Sequence, residues 1–365
     1  MSRLNDQPLY SKAVDIVLAE KLNVAVTLGG FHTLMNFMGA IGHIMRGSGL
    51  ESALECIFSK STIQHIMTGK AYARGIRAHL LIQTALVNIM LCHILPDEEK
   101  SETQSGLPDD VGIQLTEEDI AELRAVFKKA WEQKVCISQW AETDSTEDDM
   151  ALMPEKSLID NGGLAALESS LRELGNVLKS QSRTAKLWLQ YLHHIEILKA
   201  FIAAEQTSNW KMHLSASEAM LPVFAAAQHT NYARSGRVYL QQMQHLPSVH
   251  PWLYNKFQDD LFTIHQSEQL WSGLSPDLVI EQDMMAEIKR RGGLTRGRGM
   301  TTRITWFNTL IQSTAVIAQL SKLTGVVSCS KQHVEVTRAR MKRDFTSVDK
   351  LIEFFSTNKQ SLPLC

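Results

Sequence analysis

Cysteine is sparse: five occur in 365 residues, and Cys56, Cys92, Cys136, Cys329 and Cys365 form no CxxC pair. That spacing gives no zinc ribbon or finger and no disulfide framework, and it fits a reducing compartment, nucleus or cytoplasm. Neither GxGxxG nor GxxxxGKS/T occurs, so nucleotide binding through a glycine loop has no support. HExxH and the GxSxG elbow are also missing, which leaves zinc hydrolysis and serine nucleophile chemistry without a motif. The opening residues MSRLNDQPLY hold no apolar run of the kind a secretory signal needs.

Charge is absent from two long stretches, 22–45 and 78–96. Each approaches the roughly 20 apolar residues that span a bilayer. The first contains Asn23, His32, Asn36 and His43, and the second His79, Gln83, Asn88 and His93. Such groups find partners in a protein interior and not in lipid, so both stretches are expected to be buried elements, with no membrane partner.

Acid is nearly absent from a third region. Between 289 and 343 there are twelve Lys and Arg against one acid, Glu335, although the whole chain carries a net charge of −2. The acids gather instead in PDEEKSETQSGLPDD and ETDSTEDDM. A basic block of this density is the electrostatic footprint of a polyanion-binding surface. Lys289, Arg290, Arg291, Arg296, Arg298 and Arg303, in and beside the glycine-rich tract RRGGLTRGRGMTTR, are the candidate nucleic-acid contacts, with DNA favoured over RNA. The same block could equally pair with the acidic loops.

Helical apolar spacing dominates the rest. It predicts helices near 10–20, 31–46, 50–58, 61–68, 71–95, 116–140, 163–179, 183–207, 211–228, 230–245, 276–291, 301–324 and 332–355. NVAVTLG at 23–29 and LFTIHQ at 261–266 read as strands. The class is therefore mainly α with a small β-sheet (α+β). Composition places breaks that give a strand/helix part at 1–96, an acidic insert with one helix at 97–162, a helical domain at 163–260 and a C-terminal part at 261–365.

Two local patterns are site candidates. In VTLGGFHTLMNF a strand is expected to turn into a helix at Gly29 and Gly30, where unsatisfied backbone N–H groups and missing side chains admit a ligand, with His32 in the first turn. In WSGLSPDLVIEQ, Ser275 reads as an N-cap, Pro276 as the first helical residue, and Asp277 and Glu281 as carboxylates on one helix face. Such a pair can bind a divalent cation if other oxygen ligands join it; otherwise Asp277 serves the helix dipole.

The phrases NDQPLYSKA, LGGFHTLMNFMGAIGHIMRGSGL, GKAYARGIRAH, EQTSNWKMHLSASEAM, HTNYARSGRVYL and WSGLSPDLVIEQ, followed by GGLTRGRGM, occur in that order. Together they resemble an uncharacterised family of animal proteins that looks mobile-element-derived. More distantly, the order of an Asp-Gln (Asp6, Gln7), a strand ending in the HTLMNF helix at 32–37, a long helical insertion and a helix bearing Glu281 is similar to RNase H-like transposases of the DDE kind. That resemblance implies a degenerate or truncated RNase H-like core with a large helical insertion, and a two-metal site for Mg²⁺ or Mn²⁺. Asp6 would match the first carboxylate and Glu281 or Asp277 the last; Asp6 and Glu281 are the metal-ligand candidates. Gly30 stands where the pattern places an acid, and only five residues precede Asp6. The implied protein is a transposase-like nucleic-acid-binding protein, impaired in catalysis, with its first strand absent or supplied by a partner, which leaves room for a homo-oligomer. The alternative is a helical interaction or scaffold protein without a nucleic-acid partner.

Overall fold

The computed structural model describes residues 6–94, 162–265, 271–281 and 338–357. The described residues are mainly helical: α1 Asp6–Ala19, α2 Gly30–Ile44, α3 Leu50–Glu55, α4 Lys60–Met67, α5 Tyr72–Ile94, α6 Gly162–Gln181, α7 Arg183–Gln206, α8 Trp210–Ala226, α9 Thr230–Val249, α10 Pro251–Gln258, β1 Ile264–His265, β2 Gly273–Leu274, α11 Pro276–Val279 and α12 Arg338–Thr357. The expected helices at 116–140 and 301–324 and the basic residues Lys289, Arg290, Arg291, Arg296, Arg298 and Arg303 lie outside the described residues.

The small sheet consists of β1 and β2, antiparallel, with Ile264 opposite Leu274 and His265 opposite Gly273. The expected strand at 23–29 does not form; those residues are irregular backbone leading into α2. Their β-branched content suits a strand, but a strand needs a neighbour to accept its hydrogen bonds, and here Leu28 is instead buried in an apolar cluster with Ala25 and Val26 packed against it. A helix absent from the sequence reading, α10, starts with Pro251 at its first position, where a missing N–H costs nothing.

Two compact units emerge, each built from three chain segments: Met1–Ile44, Gln64–Ile76 and His194–Val334 in the first, Met45–Ile63, Arg77–His193 and Glu335–Cys365 in the second. In the first, α8 packs on α9 and on α2, and α1 on α9. Tyr10, Leu28, Trp210, Tyr239, Met243, Leu246 and Phe257 form one apolar cluster, and Phe37 meets Phe224 edge-on at 5.8 Å. The uncharged helix α2 buries Leu34, Phe37, Met38, Ala40 and Ile41 at 2% exposure or less. Glycines on both sides permit a close backbone crossing: a side chain on Gly42 of α2 would strike the Met67 carbonyl, and one on Gly69, just after α4, the Met35 carbonyl. Gly69 also has φ of 69°, in the left-handed region.

In the second unit, Ala78, Leu81, Ile82, Ala85, Leu86, Ile89 and Met90 form the buried stripe of α5, at the three- and four-residue spacing of a core-facing helix. The stretch Tyr72–Cys92 is long and apolar enough to cross a membrane by length and composition, and 56% of its most apolar window is buried in the protein. Trp188 packs edge-on against Tyr191 at 5.5 Å and Phe355 at 5.2 Å. The hydroxyl of Tyr191 is hydrogen-bonded to Nδ1 of the buried His79 at 2.9 Å, and Arg77 donates from Nε to Asp344 Oδ1 at 2.7 Å.

Candidate functional site

Helix α2 begins without a side-chain cap of its own, because Gly29 and Gly30 carry none. Its first N–H groups nevertheless point at an anion. The N–H of Phe31 donates to Asp277 Oδ1 at 3.1 Å, and that of His32 to Asp277 Oδ2 at 3.0 Å. The His32 ring adds a third contact, Nδ1 to Oδ2 at 3.1 Å. Asp277 therefore caps a helix 245 residues earlier in the chain, where its charge meets the positive end of the helix dipole. Asp277 is held in place by α11, which starts at Pro276 after Ser275.

A second polar group adjoins the first at Gly30. A side chain on Gly30 would lie 2.7 Å from both Glu205 Oε2 and Ser275 Oγ. Those two atoms are hydrogen-bonded, with Ser275 donating at 2.5 Å. The other oxygen of Glu205 lies 2.7 Å from His213 Nδ1; the distance is that of an ion pair, but the two atoms are poorly aligned for a hydrogen bond. Nε2 of His213 meets the Tyr239 hydroxyl at 3.0 Å, and the Trp210 ring stacks on the imidazole at 5.4 Å. Burial, then the Glu205 charge and Tyr10, push the Tyr239 hydroxyl well above its ordinary pKa, so it stays protonated. Tyr10, edge-on to Tyr239 at 6.3 Å, donates its own hydroxyl to Gln242 Oε1 at 2.8 Å.

Glu205, His213, Tyr239 and Ser275 are each at most 7% exposed. The cavity beside His213 and Tyr239 has about 10 Å³ for the centre of a water molecule, room for one. Among the described residues these groups form a buried polar cluster that joins the end of α7, the start of α8 and the start of α11 around Gly30.

The structure thus brings Gly30, His32 and Asp277 together, and adds Ser275. Gly30 does admit a close approach, made here by the chain's own Glu205 and Ser275. Asp277 and Glu281 follow one another on the short helical turn at 276–281, with Glu281 half-buried. Asp6 is the first residue of α1, and its side chain lies outside the described residues. Both oxygens of Asp277 accept from α2, and Glu205 is shared between Ser275 and His213, so both carboxylates are tied to the protein's own groups. Among the described residues, no three His, Cys, Asp or Glu side chains come together.

Sequence reasoning singles out none of Glu205, His213 and Tyr239 as site residues. The signal for Glu205 is faint: an acid in the last turn of a helix, where the dipole disfavours it, marks a carboxylate with a specific partner. No curated protein and no solved structure matches the chain. Over residues 4–363 it matches the family described as a domain of unknown function (DUF8702), and the chain belongs to that family.

Proposed function

We propose that the chain is a mobile-element-derived, transposase-like DNA-binding protein, impaired in catalysis and acting inside the cell, in nucleus or cytoplasm. The observation that carries this reading is the charge count: twelve Lys and Arg against one acid over 289–343, in a chain of net charge −2. The order of motifs that resembles DDE-type transposases supports the origin. The use of Asp277 as the cap of α2 supports the impairment, because an RNase H-like centre needs its carboxylates free for metal. In this reading the RNase H-like core is degenerate and the basic tract holds phosphates.

Filter binding at a series of salt concentrations tests it. Each phosphate neutralised on duplex DNA contributes about −0.9 to the log–log salt slope. Replacing Arg290, Arg291, Arg296 and Arg298 by Ala should flatten the slope by up to about 3–4 and weaken all sequences alike, since phosphate contacts carry no base information. No binding at low salt, or binding unchanged by the four substitutions, would favour the scaffold alternative, with the basic residues paired to the acidic loops.

A further inference from the structure

A groove of about 420 Å³ opens in the first unit, a volume inside the roughly 300–1,000 Å³ of small-molecule sites. Val14, Val17 and Leu18 of α1 line one wall, Val238, Leu246 and Val249 of α9 the other, and residues 24–26 complete it. None of its described lining residues is Asp, Glu, Lys or Arg. Its polar groups, Gln241, Gln242, His245 and His250, all belong to the α9 side. Gln242 is already oriented, because its Oε1 accepts from the Tyr10 hydroxyl at 2.8 Å.

These features narrow the occupant. Val238 to Val249 is twelve residues of α9, about 16 Å of helix from first to last. A groove of about 420 Å³ along that length is the size of a small-molecule site and takes one extended chain, with an apolar wall on the α1 side and hydrogen-bonding groups on the α9 side. A hydrocarbon chain or a narrow ring system fits. With no charged residue among the described lining residues, an ionic headgroup meets no counter-charge here, so the site suits a neutral ligand. Apolar side chains are left in water along the same edge: Leu18 is 68% exposed, Val249 63% and Val24 54%. Covering such a patch is favourable.

The geometry points to a binding site for a neutral single-chain amphiphile, its hydrocarbon between α1 and α9 and its hydroxyl or amide hydrogen-bonded to the Gln and His groups of α9. This stands apart from the DNA-binding proposal and uses none of its residues.

The test is isothermal titration of the full chain with 1-decanol and with decanoate at pH 8, below micelle formation. One saturable 1-decanol site per chain is expected, with decanoate at least ten-fold weaker. Val24→Asp and Val238→Asp, at half-exposed positions the fold tolerates, should each weaken 1-decanol ten-fold or more. Leu9→Asp, exposed on α1 but outside the groove, should leave it unchanged. Circular dichroism checks that the variants fold, and Val238→Trp, which fills the slot without a charge, should also block binding. Absence of saturable binding, equal affinity for decanoate, or equal loss in Leu9→Asp would overturn the assignment. So would a concentration-dependent dimer that Val238→Asp dissociates, since the groove would then be an interface between copies.

Discussion

Gly30 shows how one residue's missing side chain is used. With Glu205 Oε2 and Ser275 Oγ both 2.7 Å from where a Cβ would sit, Gly30→Ala must separate two hydrogen-bonded atoms in a packed core. A loss of about 1–3 kcal/mol is expected in urea unfolding. His79 makes a second residue-scale case. It is wholly buried, and desolvation lowers its pKa to about 4 from 6.5; its Nε2 has no partner among the described residues. The unfolded chain then binds the proton that the folded one refuses, between pH 6.5 and 4. Stability therefore falls as pH drops through that window, by up to about 3 kcal/mol, and is insensitive to His79 above it. Unfolding free energies at pH 7, 5.5 and 4 check this, and His79→Gln should flatten the dependence.

At the scale of the element, α2 depends on a cap from far along the chain. Asp277→Ala leaves the Phe31 and His32 N–H groups without their acceptor, at a cost of about 1–2 kcal/mol. Hydrogen exchange should quicken at those two amides before the rest of α2, whereas Asp277→Asn, which keeps an acceptor oxygen, should recover part of the protection. The elements themselves are largely legible in the sequence. α2, α4, α5, α7 and α8 follow the apolar spacing to within a residue or two at most of their ends, because helical periodicity is written in neighbours three and four apart. The segment at 23–29 misleads for the opposite reason: whether β-branched residues form a strand depends on a partner strand that local sequence does not contain. The site divides the same way. Ser275 and Asp277 as helix-start residues are readable, but that Asp277 serves α2, or that Glu205 meets His213 and Ser275, depends on contacts up to hundreds of residues apart.

On the scale of the whole molecule, the metal question becomes one of linkage. A cation that binds only the folded chain raises its melting temperature by mass action. With Asp277 committed to α2, Mg²⁺ should shift the wild type and Glu281→Gln by the same amount in a thermal melt; a shift that the substitution abolishes would return Glu281 to a metal site. The capping contact also constrains when this protein can finish folding. A ribosome adds about 5–20 residues per second, so the amides of Phe31 and His32 wait on the order of 10–50 s for residue 277 to be made. During that interval α2, with its uncharged and apolar faces, stands open at its first turn. A chain cut short before Asp277 therefore lacks the acceptor that closes the first turn of α2.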